Sequence, residues 1–286
     1  MTDSRGGRAA PPRALTIAGS DSGGGAGIQG DLKTFQELGV HGMSVVTAIT
    51  AQNSLGVQRI APVAPELIEA QLDSVLGDIG ADAVKTGMLP TPESVAAAAA
   101  AVRRYGLERL VVDPVRTAKD GRRLMAGEAF EALAELLLPL AELATPNVPE
   151  AAALLGVPER DIRTVDERVD AAKALLSFGS RHVLLKGGHA EGDECLDILV
   201  AASDGGRRPA LLGGPRLARR HTHGTGCALS SAVCAALAGG AAAEAACREA
   251  KAFVAAAIAG SYPTGAGVGS LRHEAWRAGG AFDGRR

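Results

Sequence analysis

The run Thr222-His223-Gly224-Thr225-Gly226-Cys227 holds the residue types best suited to chemistry in this chain. Its glycines reach backbone angles closed to other residues and let successive N–H groups turn toward one point. The run stops where an Ala-rich helical pattern, Ala228 to Leu237, begins. A helix starting there adds free first-turn N–H groups and the positive end of its dipole. Such a nest suits a phosphate, or the charge that develops during phosphoryl transfer. Cys227 falls in the first helical turn, where a thiol pKa is expected to be lowered. The same residues also suit a glycine-rich helix cap with a buried cysteine, and the stretch alone leaves both readings open.

The elements that must hold this stretch are legible as an alternation. Short β-branched runs over 13–18, 43–50, 83–86, 110–112, 141–145, 182–186 and 197–200 predict strands. Longer helical patterns over 26–38, 65–78, 92–105, 127–138, 165–178, 227–238 and 242–259 fill the gaps. The class is α/β, with a mainly parallel sheet covered by helices. Neither a composition break nor an internal repeat divides the chain. In such sheets ligands bind beyond the C-terminal strand ends. The unusual residues fall there: Gly19-Ser20-Asp21, Gln52-Asn53, Lys85-Thr86-Gly87, Asp113-Pro114, Asn147 and Lys186-Gly187-Gly188.

Each of these has a chemical and a bland reading. Asp113 at the end of an apolar strand suits a metal ion or a phosphate, and equally a helix cap. Asn147 and Glu150, three apart, suit one magnesium hydration shell, or a turn followed by a first-turn acid that complements the helix dipole. The Lys186 ammonium is placed to reach phosphate oxygens, with two glycines after it allowing close backbone approach. Asp31 reads as an exposed helix acid or as an acceptor for a polar ligand. Gln52 and Asn53 can read the edge of a heterocycle, or serve as turn amides. His221 and His223 form an H-x-H pair, but no further zinc ligands stand at a recognisable spacing.

Of two nucleotide motifs, one is incomplete and the other is absent. Gly25-x-Gly27-x-x-Gly30 follows a strand and opens a helix, as a dinucleotide fingerprint does, but the next strand ends Val-Val-Thr-Ala-Ile-Thr-Ala-Gln, without the ribose-binding acid. No Gly-Lys-Ser or Gly-Lys-Thr occurs, so the chain is not a P-loop protein. The 286 residues carry a net charge of −2 and 3% aromatics, which argues against nucleic acid or an anionic membrane as partner. The 47% hydrophobic content is ordinary for a soluble protein, and no run is apolar enough for a transmembrane helix. The four cysteines form no C-x-x-C pair and predict a reduced, cytoplasmic protein. Residues 1–12, polar and rich in Gly and Pro, are expected to be disordered, with 13–286 as one domain.

Taken in order, the motifs resemble the hydroxymethylpyrimidine and phosphomethylpyrimidine kinases of thiamine biosynthesis, members of the ribokinase-like superfamily. The matching stretches are Ala14-Leu-Thr-Ile-Ala-Gly-Ser-Asp-Ser-Gly-Gly-Gly-Ala-Gly-Ile-Gln, Asp31-Leu-Lys-Thr-Phe, Thr50-Ala-Gln-Asn, Lys85-Thr-Gly-Met, Val112-Asp-Pro-Val, Thr145-Pro-Asn-x-x-Glu-Ala, Leu185-Lys-Gly-Gly-His and Thr222-His-Gly-Thr-Gly-Cys. They span about 13–260. The resemblance implies a three-layer α/β/α sandwich, usually a homodimer, using ATP and magnesium on a small-molecule substrate. It implies pyrimidine contacts from Gly19, Asp31, Gln52, Met88 and Val115. It places an anion hole at Gly224, Gly226 and Cys227, with Cys227 where many relatives outside this family have an aspartate base. It assigns Lys186 to the ATP phosphates, with Thr222 on the nucleotide side, Asn147 and Glu150 near magnesium, and Asp113 close to the transferring phosphate and the metal. The implied reaction moves the ATP γ-phosphate to 4-amino-5-hydroxymethyl-2-methylpyrimidine, and a second one to the monophosphate.

Three departures stand out. Arg116-Thr117 replaces the usual Met-Val, Gly30 replaces an alanine before Asp31, and the tail reads Gly265-Ala-Gly-Val-Gly-Ser-Leu-Arg. Arg116 either strengthens binding of a phosphorylated substrate, shifts specificity, or has no role. The alternatives carried forward are a pyridoxal or other hydroxymethyl-heterocycle kinase on the same fold, a non-catalytic ligand-binding protein, and, distantly, a nicotinamide oxidoreductase.

Overall fold

The computed structural model of the chain describes residues 10–118, 121–188, 194–204 and 209–278. Residues 1–9 of the tail and His189 of the Lys186 motif lie outside them.

Among the described residues nine strands form one sheet: β1 (Arg13–Asp21), β2 (His41–Asn53), β3 (Gly56–Pro62), β4 (Ala83–Thr86), β5 (Leu110–Val112), β6 (Leu143–Ala144), β7 (His182–Leu185), β8 (Asp197–Ala201) and β9 (Ala210–Leu212), in the order β3-β2-β1-β4-β5-β6-β7-β8-β9. The six from β2 through β1 to β7 are parallel, whereas β3, β8 and β9 run antiparallel to their neighbours. The expected strands are all present, 83–86 and 110–112 with the expected ends and the other five with shifted ones. The two unexpected ones, β3 and β9, are the edges, where half-exposed residues carry little hydrophobic alternation.

Strand alternation sends each strand's side chains into two cores. Leu15, Ile17, Val84 and Val112 face the core shared with α2 (Pro65–Asp78), α3 (Pro92–Arg104), α4 (Gly127–Leu136), α5 (Val148–Leu155) and α6 (Val165–Leu175). Ala14, Ala83, Val111 and Leu184 face the opposite core, built with α1 (Gly27–Glu37), α7 (Thr225–Ala238), α8 (Ala243–Ala259) and α9 (Ala275–Ala278). The three-layer sandwich is therefore the observed architecture. Both α5 and the short α9 were missing from the expected set.

Helix starts differ in a way that matters for the site. In α3 and α6, Thr91 with Ser94 and Thr164 with Glu167 form reciprocal caps that satisfy first-turn N–H groups. At α7 the cap residue is Gly224, in the left-handed region at φ 87°, and no side chain caps the helix. β1 lies between β2 and β4, where the chain's strand order reverses direction, so a crevice opens at its C-terminal end.

Candidate active site

A cleft of about 1160 Å³ runs along the C-terminal ends of β1, β4, β5 and β7. The start of α7 forms one wall. Gly224, Gly226 and Cys227 all line it, and the missing cap leaves the N–H groups of Gly226 and Cys227 turned to the cleft. A Cβ added at Gly226 would lie 3.6 Å from Lys186 Nζ and 3.9 Å from Asp113 Oδ2, so this backbone abuts the charged pair directly. Thr222 lines the same wall, and its carbonyl accepts the Thr225 N–H (3.4 Å) and hydroxyl (2.8 Å).

The position of α7 is fixed by a lock between loops at opposite ends of the sequence. Asp21 accepts the N–H groups of Gly23 (2.8 Å), Gly25 (3.0 Å) and Ala26 (2.8 Å), and its Oδ2 meets His223 Nε2 at 2.9 Å. Burial opposes ionisation of Asp21, but the bonds from His223, Ala26 and Gly23 prevail and hold its carboxyl below the usual carboxylate range. A side chain at Gly25 would run into the His223 ring, and one at Gly224 into the Gly25 carbonyl. The H-x-H pair does not converge, since His221 Nδ1 instead accepts the Gly269 N–H at 2.9 Å.

A second cluster sits opposite. Lys186 Nζ is 2.9 Å from Asp113 and 3.8 Å from Glu150. Asp113, fully buried, also accepts from Thr145 (3.0 Å) and Ser230 (3.1 Å). Burial opposes the Lys186 charge, yet Asp113 and Glu150 hold the ammonium above the usual lysine range. Asn147 and Glu150 form the reciprocal cap of α5, each accepting the other's N–H at 2.8 Å. Both still line the cleft. Burial, and then the neighbouring Asp113, push the Glu150 carboxyl up to about 7 against the pull of Lys186. Among the described residues no three His, Cys, Asp or Glu gather as a metal cage.

Gly19, Gln52, Met88 and Val115 line the other end of the cleft. A Cβ on Gly19 would come within 3.1 Å of Met88 Sδ, so glycine keeps this floor open. Gln52 Oε1 accepts from Thr50 at 3.2 Å, leaving its amide near His223 Nε2 (3.4 Å). Asn53 takes the bland role, accepting the Leu55 N–H in a turn.

Two expectations are corrected. Asp31, read as an exposed acid or a ligand contact, is fully buried beneath the cleft floor. Its carboxylate is filled by Lys85 (2.8 and 2.9 Å), Thr16 (2.7 Å) and Ser231 (2.5 Å), so it touches the cleft only through Lys85. The Cys227 thiol is raised, not lowered. Burial pushes it up to about 11, with Asp31 and Asp113 adding to the effect, and outweighs the pull of Lys85.

With this geometry in place, the phosphomethylpyrimidine kinase family model matches residues 21–272. The chain belongs to that family. Over 266 residues it is 49% identical to the hydroxymethylpyrimidine/phosphomethylpyrimidine kinase of Streptomyces coelicolor, covering 92% of this chain and 94% of that one. It is similar in structure to the pyridoxal kinase of Bacillus subtilis, solved as an ADP complex, at 40% identity and a TM-score of 0.86, covering 94% of this chain and 100% of that one. It is also similar to the phosphomethylpyrimidine kinase of Clostridium difficile, at 40% identity and a TM-score of 0.74, covering 86% and 99%. Membership of the phosphomethylpyrimidine kinase family makes the chain a kinase, against the non-catalytic and nicotinamide readings.

Three residues given no role from the sequence, Lys85, Ser230 and Ser231, complete the cluster around Asp31 and Asp113. Lys85 follows Ala83 by two positions, so β4 turns it toward the α1 and α7 side, fully buried. Burial opposes its charge, but Asp31 holds the ammonium above the usual lysine range. Ser230 and Ser231, in consecutive positions of α7, bond Asp113 and Asp31 respectively. A lysine inside an apolar strand was the available signal for this layer.

Proposed function

We propose that this kinase transfers the γ-phosphate of ATP to the hydroxymethyl group of 4-amino-5-hydroxymethyl-2-methylpyrimidine, and a second phosphate to the product, in thiamine biosynthesis. The observation that carries the reading is the uncapped α7 N-terminus beside the Lys186–Asp113 pair. Gly19, Gln52, Met88 and Val115 hold the ring. The N–H groups of Gly224, Gly226 and Cys227 receive charge on the transferring phosphoryl group, while Lys186 and Thr222 hold the nucleotide. Phosphoryl transfer needs chiefly positioning and charge neutralisation, which these groups supply. Magnesium fits the same corner: Asp113 and Glu150 are two buried carboxyls, one of them pushed up to about 7, and this ion commonly takes one or two carboxylates plus phosphate and water. Bound there, with Asn147 near its waters, it would neutralise phosphate charge. The reading takes 13–286 as one cytoplasmic kinase domain that forms a homodimer. Exposed Ile49 and Leu55 near the β2–β3 turn offer apolar surface to a second copy, and no helix of the described residues is long and apolar enough to cross a membrane.

The test is ATP consumption with magnesium and hydroxymethylpyrimidine, its monophosphate or pyridoxal as separate acceptors, with products identified by mass. Turnover of both pyrimidines supports the reading. Turnover of pyridoxal alone favours the second reading, which the likeness to the Bacillus subtilis pyridoxal kinase keeps in play.

Cys227 is proposed to take the hydroxyl proton in the first transfer. A thiol raised to about 11 holds its proton at neutral pH, so the deprotonated fraction grows with pH. Turnover of the hydroxymethyl acceptor is therefore expected to climb from pH 6 to 9, toward about tenfold per unit in the limit. Cys227→Ala is expected to cut kcat by about 10²-fold and flatten that slope. A mutant with wild-type turnover and slope would remove Cys227 from the chemistry.

A further inference from the structure

The cations that line the cleft are nearly all engaged. Lys85 is paired with Asp31, Lys186 with Asp113, Lys251 with Asp197 and Arg248 with Glu244. Arg216 donates to the carbonyls of Gly188 (2.8 Å) and Glu194 (3.3 Å). Arg116 is different. It lines the cleft next to Val115, and among the described residues its guanidinium meets no carboxylate. The guanidinium lies over the Phe130 ring of α4, 5.5 Å from the centroid, and among the described residues its N–H groups meet no acceptor. Its backbone N–H points to the Glu150 carboxyl, which fixes the residue beside the Asp113–Lys186 cluster.

The two transfers place different demands on this corner. In the first, an acceptor hydroxyl attacks the γ-phosphorus, the bond to the ADP oxygen breaks, and the hydroxyl proton leaves to a base. In the second, an oxygen of the acceptor's own phosphate attacks, the same bond breaks, ADP leaves, and the already ionised nucleophile needs no base. That step instead brings a phosphomonoester carrying between one and two negative charges against the ATP tail. Paired lysines supply little net charge against that repulsion.

We propose that Arg116 binds the phosphate of the monophosphorylated acceptor and thereby sets this chain's preference for the second transfer. The proposal rests on the kinase reading above. A planar fork held on an aromatic ring, paired with no acid among the described residues and adjacent to the ring-binding Val115, is matched to a phosphate in two parallel hydrogen bonds.

The experiment compares wild type with Arg116→Met, which installs the residue the resemblance leads one to expect, and Arg116→Lys. kcat/KM is measured for hydroxymethylpyrimidine and for its monophosphate at saturating ATP, the KM for ATP is measured with each, and monophosphate binding without nucleotide is followed by calorimetry. Arg116→Met is expected to shift the ratio of the two kcat/KM values by about 10–100-fold toward the unphosphorylated acceptor, the scale of charge-assisted hydrogen bonds. Monophosphate binding should weaken in parallel, with Arg116→Lys intermediate. An unchanged ratio overturns the proposal. So does a raised KM for ATP with both acceptors, which would give Arg116 to the nucleotide. If the wild type turns over neither pyrimidine, it is the kinase reading that fails.

Discussion

Gly224→Ala is expected to abolish most activity while leaving a folded, less stable protein. The residue sits at φ 87°, where an L side chain costs about 1–2 kcal/mol. Its new methyl would also run into the Gly25 carbonyl, and forced repacking of that kind typically costs about 1–3 kcal/mol. The loops must move apart, and α7 moves with them, carrying the Gly226 and Cys227 N–H groups off target. A displacement of about 1 Å is enough for a loss near 10²-fold in turnover. Thermal melts and kcat measured together check this, with Gly127→Ala as the control, because a Cβ there meets nothing within 4 Å. Wild-type turnover in Gly224→Ala would mean that the loop lock does not position the anion hole.

The second large effect concerns the Lys85–Asp31 pair, of which neither side chain is exposed. Lys85→Met leaves Asp31 held by Thr16 and Ser231 without a counter-charge, and Asp31→Asn strands the ammonium. Each single change is expected to cost about 3–5 kcal/mol in urea unfolding. The double change removes both charges and should recover much of that loss, because a buried pair offsets its attraction with desolvation. Activity should not recover with it. Lys85 pulls the Cys227 thiol down by more than Asp31 pushes it up, so losing both still moves the thiol further from ionisation. Additive single effects would contradict the coupling, and full activity in the double mutant would make the pair purely structural.

Much of this was legible in the sequence, and the misses share a cause. Strands and helices bordering the two cores announce themselves through apolar spacing, as 83–86 and 65–78 do with matching ends. The edge strand β3, carrying exposed Gln58 and Arg59, lacks that spacing, and its place is set by pairing with β2. The start of α5 was visible as Asn147 followed by Glu150, yet the same two residues were also candidate ligands, and both features coexist in the structure. Asp31 looked exposed because it stands on a helix between Gly30 and Lys33. It is buried because Thr16, Lys85 and Ser231 converge on it from β1, β4 and α7, a convergence that no local window contains. The thiol of Cys227 moved opposite to expectation for a related reason. The helix terminus is a local feature, whereas the burial and the nearby carboxylates come from the tertiary fold.

The lock between Asp21 and His223 joins residues 202 positions apart. At about 5–20 residues per second, roughly 10–40 s of synthesis separate the two halves of the anion site. During that interval β1, β4, β5 and β7 can be made while α7 and α8, which cover Ala14, Ala83, Val111 and Leu184, do not yet exist. The nascent chain thus carries an apolar sheet face covered only by α1 until the segment that completes the active site is translated. Chaperone demand in the cell and the onset of catalysis are thereby tied to the same late stretch of polypeptide.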